Sequence, residues 1–162
     1  MNKQRDSLNE FQEAYGTIEE LNTILGLVIS FSNIARVNTS LRKVQYELVV
    51  LCSELSGKTK GRICQIHIRR LQKKIWQLYY ELPKITNFVL PHGHKISALL
   101  HLARTVCRRA ERTVVALSNK KHSYSYIIEY LRHLSGLLFA YALFVNKKNN
   151  VKEIFWKGEI SI

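Results

Sequence analysis

Apolar residues recur at intervals of three and four along most of the chain, the spacing of amphipathic helices. Over 14–36, Leu21, Ile24, Leu25, Val28 and Phe31 mark one face of a first helix. Asn38 and Thr39 are suited to cap a second helix over 41–55, where Leu41, Val44, Leu48, Leu51 and Leu55 turn inward and Gly57 is the stop. A basic stretch at 58–60 leads to a third helix over 62–82, with Ile68, Leu71, Ile75 and Leu78 as its apolar face. Pro83 ends it, and Pro91 with Gly93 keeps 83–94 irregular. The fourth helix, 95–119, carries the stripe Leu99, Ala103, Val106, Ala110, Thr113 and Leu117. The fifth, 123–146, turns Ile127, Tyr130, Leu134, Leu138, Tyr141 and Val145 inward. From Asn149 a tail follows, in which Ile154, Phe155 and Trp156 are expected to dock on the bundle. No strand alternation, repeat or low-complexity tract breaks the pattern. The sequence therefore predicts an all-α bundle of five helices with short connections, a single domain over 1–162.

Composition fits that reading. A chain of 162 residues that is 46% hydrophobic and 23% charged can bury a sizeable core, and 7 Gly and 2 Pro leave room for long helices. Cys52, Cys64 and Cys107 form no CxxC pair, so they read as buried free thiols rather than a disulfide framework. The polar start MNKQRDSLNE is not a secretory signal, and the longest apolar run, 137–145, is too short to cross a bilayer. A cytoplasmic protein is expected.

Charge changes the picture more. Twenty-five Lys and Arg against 12 Asp and Glu give a net +13, a surface that attracts nucleotides, nucleic acid or anionic lipid. A coding bias toward Lys and Asn would produce the same excess without a ligand. The fourth helix concentrates it: Arg104, Arg108 and Arg112, spaced by four, line one side, with Arg109 at an angle and Glu111 able to pair with a neighbouring cation. Planar guanidiniums in a row suit phosphate or carboxylate, although an isolated run of this kind is more often a solvated face. Of the six histidines, His92 and His94 are close in a loop but lack a Cys or acidic partner, so no metal site is expected. His67, His101, His122 and His133 read as surface or interface residues.

Five collinear segments carry a resemblance. They are EAYGTIEELN (13–22), VQYEL (44–48), LPKITNFVLP (82–91), LHLARTVCRRAERTVVAL (100–117) and YLRHLSGLLF (130–139). Together they resemble the PduO-type ATP:cob(I)alamin adenosyltransferase family, over most of the chain from Glu13 to Trp156. The resemblance implies an all-α five-helix bundle of the ferritin-like up-and-down type, assembled as a homotrimer with ATP, carried with Mg²⁺, bound between subunits. It implies transfer of the 5′-adenosyl group to the reduced cobalt of cob(I)alamin, formed from cob(II)alamin, with release of triphosphate. Cobalt is then the nucleophile, and the protein positions the substrates and neutralises the leaving group. By motif, Arg108 would contact the ATP phosphates. Arg104 would face Glu19 of a neighbouring subunit, where the family usually has Asp. Phe88 would pack beneath the corrin, and Glu111 would orient its Arg neighbours. Arg109, Arg112 and Arg132 complete the expected nucleotide-binding set. A flavoprotein reductase and a cobalamin-dependent mutase are the partner classes implied.

The departures from the family pattern are local. The family's Thr-Arg-Thr-Gly-Asp-x-Gly segment, which wraps the ATP phosphates, has no counterpart in MNKQRDSLNEFQ; either the start lies upstream or that loop is lost. On the fifth helix Arg132 stands for the usual Asn, His133 for Arg, Gly136 for Asp and Leu143 for a common Arg. The third helix has Gln65 and Gln72 where Glu is common, and Pro91-His-Gly-His94 keeps one Gly of a pair. An active adenosyltransferase, with Arg132 supplementing phosphate binding, is the first expectation. A relative that binds corrinoid or nucleotide without turnover is the second. A basic module for nucleic acid is the third; composition alone supports it, and no specific nucleic-acid recognition is expected.

Overall fold

The computed structural model describes residues 2–118, 124–156 and 158, and within these the chain forms five helices. They are α1 (Asn2–Phe31), α2 (Ala35–Leu55), α3 (Gln65–Glu81), α4 (Lys95–Ser118) and α5 (Ser125–Lys148). Among the described residues the one non-helical pairing is an isolated antiparallel bridge between Val89 and Phe155. The all-α, five-helix expectation holds. Asn119, His122 and Ser123 lie outside the described residues.

The order of burial explains the packing. α5 is apolar around most of its circumference: Leu131, Leu134, Leu137, Leu138 and Ala140 to Leu143 are all buried. Such a helix must be covered on several sides, and α4 and α3 do so, with α1 packed on α4 and α2 on α1. By length and composition α5 could cross a membrane, but more than half of its apolar window is inside the bundle, as for a core helix.

Several boundaries differ from the periodicity reading. α1 begins at Asn2 rather than near Ala14; Phe11 and Tyr15 add one turn to its packed face, their ring centroids 5.7 Å apart. Phe31, expected inward, ends the helix 60% exposed. α2 starts at Ala35, six residues earlier than expected, with Ile34 in the N-cap position and no side-chain cap. Asn38 is therefore not the cap; its amide donates to the carbonyl of Ser32 and holds the α1–α2 turn. Gly57 does end α2: at φ 76° it lets the N–H of Lys58 reach the carbonyl of Ser53. α3 begins at Gln65, where Cys64 and His67 cap each other reciprocally, so Cys64 is half-buried and not a core thiol. Cys52 and Cys107 are buried as expected.

One buried carboxylate ties three helices together. Glu47 of α2 accepts from the Arg70 guanidinium of α3 and from the Tyr130 hydroxyl of α5, the latter at 2.7 Å. Burial pushes the Glu47 carboxyl up, but those two donors more than offset it and hold it below the usual carboxylate range. Removing Arg70 leaves a charge buried against one hydroxyl. Arg70→Ala is expected to cost about 2–3 kcal/mol in urea unfolding at neutral pH. A Glu47→Gln/Arg70→Met double variant should recover part of that loss, and equal losses in both would remove the ion pair as the cause.

Candidate functional site

α4 presents its arginines as a ridge. Arg104 is half-buried, its guanidinium 5.3 Å from the ring centroid of Phe139 on α5, while Arg108 and Arg112 are exposed. None of the three has a carboxylate at ion-pair distance among the described residues. The nearest acids are engaged to either side. Arg109 turns toward α1 and pairs with Glu20; Arg132 of α5 donates from Nε to Glu111 at 2.9 Å. Arg109 and Arg132, both placed in the nucleotide-binding set from sequence, thus flank the ridge as ion-paired groups. Among the described residues the terminal nitrogens of Arg132 have no hydrogen-bond partner, and its side chain is 65% exposed.

Glu19 sits elsewhere. It is exposed on α1, and its charge bears on Cys52 of α2, whose thiol is pushed up to about 11 by burial first and by Glu19 second. Within one chain Arg104 and Glu19 are not an ion pair.

Beside Arg104 lie groups that sequence reading left out. Tyr79 of α3 feels the Arg104 charge, which opposes the upward push that burial gives its hydroxyl. Burial, with Arg108 second, pulls the Arg104 pKa down from its usual value, yet a guanidinium stays charged at any working pH. Phe139, the last residue of the fifth matching segment, could have been found from that position. His101 corrects an expectation: it is 3% exposed, edge-on to Phe139, with no hydrogen-bond partner at either ring nitrogen among the described residues. One turn earlier, the buried Ser97 hydroxyl is likewise unpartnered. His133 is half-buried and pairs with Gln72, so the two departures meet across α3 and α5. Gly136 faces Ile75, where an added methyl would make an ordinary contact, and Leu143 is buried.

The 83–94 loop is built by α5 and the tail. Asn146, fully buried, accepts from the His94 N–H and donates to the His92 carbonyl and to Glu153. The two loop histidines are structural, since His92 Nε2 accepts from the N–H of Ile154 and His94 Nδ1 from that of Ile96. The tail then pairs with the loop: Leu90 N–H to Ile154 carbonyl and Trp156 N–H to Phe88 carbonyl, both 2.9 Å. Side chains alternate across such a ribbon. Val89 is buried on one side, and Phe88, Leu90, Ile154 and Trp156 stand exposed, Phe88 at 61%. The tail docks through its backbone and leaves two aromatic faces open. Nearby, a cavity of about 780 Å³ is lined by Leu82, Pro83, Ile85, Leu143 and Phe155. Among the described residues no group of three or more His, Cys, Asp or Glu could hold a metal.

Among the described residues the all-helical bundle thus carries a row of α4 arginines without carboxylate partners and, at the loop and tail, an exposed apolar ribbon. Comparison with known proteins gives the family. A family model described as cobalamin adenosyltransferase matches residues 2–145, and the chain belongs to that family. It is 33% identical over 157 residues to a corrinoid adenosyltransferase of Bacillus subtilis (strain 168), covering 93% of this chain and 80% of the relative. It is 34% identical over 151 residues to a cobalamin adenosyltransferase of Cupriavidus metallidurans, covering 90% and 80%. Among solved structures, a variant PduO-type ATP:corrinoid adenosyltransferase from Lactobacillus reuteri complexed with cobalamin and ATP superposes with TM-score 0.85 at 25% identity, covering 94% of this chain and 87% of that one. Another variant of that enzyme, complexed with ATP, gives 0.86 over 91% and 87%.

Burial holds the His101 pKa down to about 4, with Arg104 and His92 adding to the effect. The unfolded chain, where the value returns to about 6.5, binds that proton first. Stability from this group is therefore full above pH 6.5 and is lost as the pH falls toward 4, by up to about 3 kcal/mol. Unfolding midpoints measured across that range should show the loss, and His101→Leu should flatten it; an unchanged acid limb would exclude His101 as the source.

Proposed function

We propose that this chain is a corrinoid adenosyltransferase that moves the 5′-adenosyl group of ATP to cob(I)alamin, yielding adenosylcobalamin and triphosphate. The observation that carries the reading is the α4 ridge: three arginines with no carboxylate partner among the described residues, while Glu20 and Glu111 are taken up by Arg109 and Arg132. A triphosphate needs such uncompensated cations, and the needed charge is greatest as the C5′–O bond breaks. Cobalt supplies the electron pair for the new Co–C bond, and the pair of the broken C5′–O bond leaves with the triphosphate. The reaction balances without an outside base or oxidant.

Arg108 and Arg112 are assigned to the phosphates, with Arg132 reaching them from α5 through its free terminal nitrogens and Glu111 fixing its Nε. Mg²⁺ arrives with ATP. Phe88 lies on the ribbon's open face, suited to pack on the corrin and help expel a ligand from the lower side of cobalt; Trp156 and Leu90 extend the same surface. The working form is a cytoplasmic homotrimer of single-domain subunits. Two features support the assembly: Arg104 and Glu19 lack each other within a chain, and the apolar strip of Leu27, Phe31, Leu99 and Leu102 stands partly uncovered between α1 and α4. A reductase that supplies cob(I)alamin and a mutase that accepts the product are the partners this chemistry calls for.

Purified protein mixed with Mg-ATP and reduced cobalamin should convert the corrinoid spectrum to that of adenosylcobalamin. A folded trimer that binds corrinoid but forms no product would establish the non-catalytic reading instead. Arg108→Ala should weaken ATP binding by about tenfold or more, in line with loss of a charge-assisted phosphate contact; unaltered ATP affinity would exclude that placement. Phe88→Ala should leave ATP binding intact and slow transfer, and an unaffected rate would take Phe88 out of the mechanism.

A further inference from the structure

A second cationic site lies away from the α4 ridge. A cavity of about 430 Å³ opens between α2 and α3, and no residue of α4 lines it. Its walls carry Arg36 and Lys43 from α2 and Arg70 and Lys74 from α3, with the hydroxyls of Thr39 and Ser40. The charge around it is one-sided. Between 35 and 82 the sequence has ten Lys and Arg against three Glu, more than half of the chain's net +13.

Each of those three carboxylates is already engaged. Glu47 is held by Arg70 and Tyr130, and Glu54 accepts the N–H of Ile63. Glu81 takes both its oxygens to Arg36, at 2.7 and 2.9 Å. These contacts also fix the guanidiniums, and Arg36 lies 5.1 Å from the ring centroid of Phe144. What they leave over is Lys43 and Lys74, one on each wall, neither with a carboxylate partner among the described residues. Two ammonium groups facing one concavity repel each other, and an anion between them relieves that repulsion.

We propose that this α2–α3 cavity binds a phosphate chain, either the oligophosphate of a nucleotide or a free triphosphate. A chain of linked phosphates can meet a cation on each wall where one phosphate cannot, and the Thr39 hydroxyl supplies a further donor. A single phosphate would fill little of the space. The site does not depend on chemistry at α4.

The test is calorimetric titration with sodium triphosphate and, separately, ATP. The proteins are the intact chain, Arg108→Ala, and Arg108→Ala carrying Lys43→Gln and Lys74→Gln. In Arg108→Ala one triphosphate site per chain should persist, and the two Lys→Gln changes should weaken it by about tenfold or more. ATP binding tighter than triphosphate in Arg108→Ala would identify a nucleotide as the ligand; equal binding would identify the chain of phosphates alone. Triphosphate binding abolished by Arg108→Ala, or indifferent to the lysine changes, would overturn the proposal. The Lys43→Gln/Lys74→Gln protein with Arg108 intact should melt at the same temperature as the unaltered chain and keep its transfer rate at saturating ATP. A collapse of that rate would place the cavity within the catalytic site and overturn its independence.

Discussion

The bundle is organised by the need to keep α5 out of water. With buried side chains at twelve of its positions, no single neighbour covers it, so α3 and α4 flank it and the remaining helices follow. The core is dense in aliphatic groups, and the polar groups admitted to it are few and mostly paired: Glu47 with Arg70 and Tyr130, Asn146 with the loop. This geometry also decides which faces remain for function. α4, pressed on one side by α5 and on another by α1, has a single narrow face left, and the arginines occupy it.

The electrostatics of that face rest on neighbours as much as on the arginines. An acid placed among Arg104, Arg108 and Arg112 would quench the ridge; here the acids are drawn aside by Arg109 and Arg132. The result is charge held ready rather than charge neutralised, and burial first, with repulsion from Arg108 second, lowers the Arg104 pKa. Seating one guanidinium over Phe139 limits its freedom and spares the ordering that a ligand would otherwise have to impose.

Helix number and type were legible because the three-and-four spacing is strong in every segment. Ends were less so. Hydrophobic spacing is weak where a helix projects, so Leu8 and Phe11 gave little sign that α1 continues to Asn2. The α4 stripe was read one residue off its centre: Leu100, Cys107 and Val114 are fully buried, whereas Leu99 and Thr113 are partly exposed. A helix wedged between two neighbours has a wide buried arc, and a narrow stripe is a poor description of it. His101 falls in that arc, which is why a histidine expected at the surface lies inside. The arginine ridge itself was visible from a spacing of four. Which acids it would lose to flanking pairs depended on contacts across α1 and α5, distances that no local pattern encodes.

Gly93 has φ 107°, and a methyl group there would come within 2.4 Å of the Asn146 side chain. That one amide holds the His92–His94 turn and Glu153 of the tail together. Loop and tail therefore share this anchor on α5, in addition to the backbone pairs that join them directly. Losing the amide would leave the His94 N–H, the His92 carbonyl and the Glu153 carboxylate each without this partner at once. The ribbon that bears Phe88 and Trp156 is thereby tied as one unit to the end of α5.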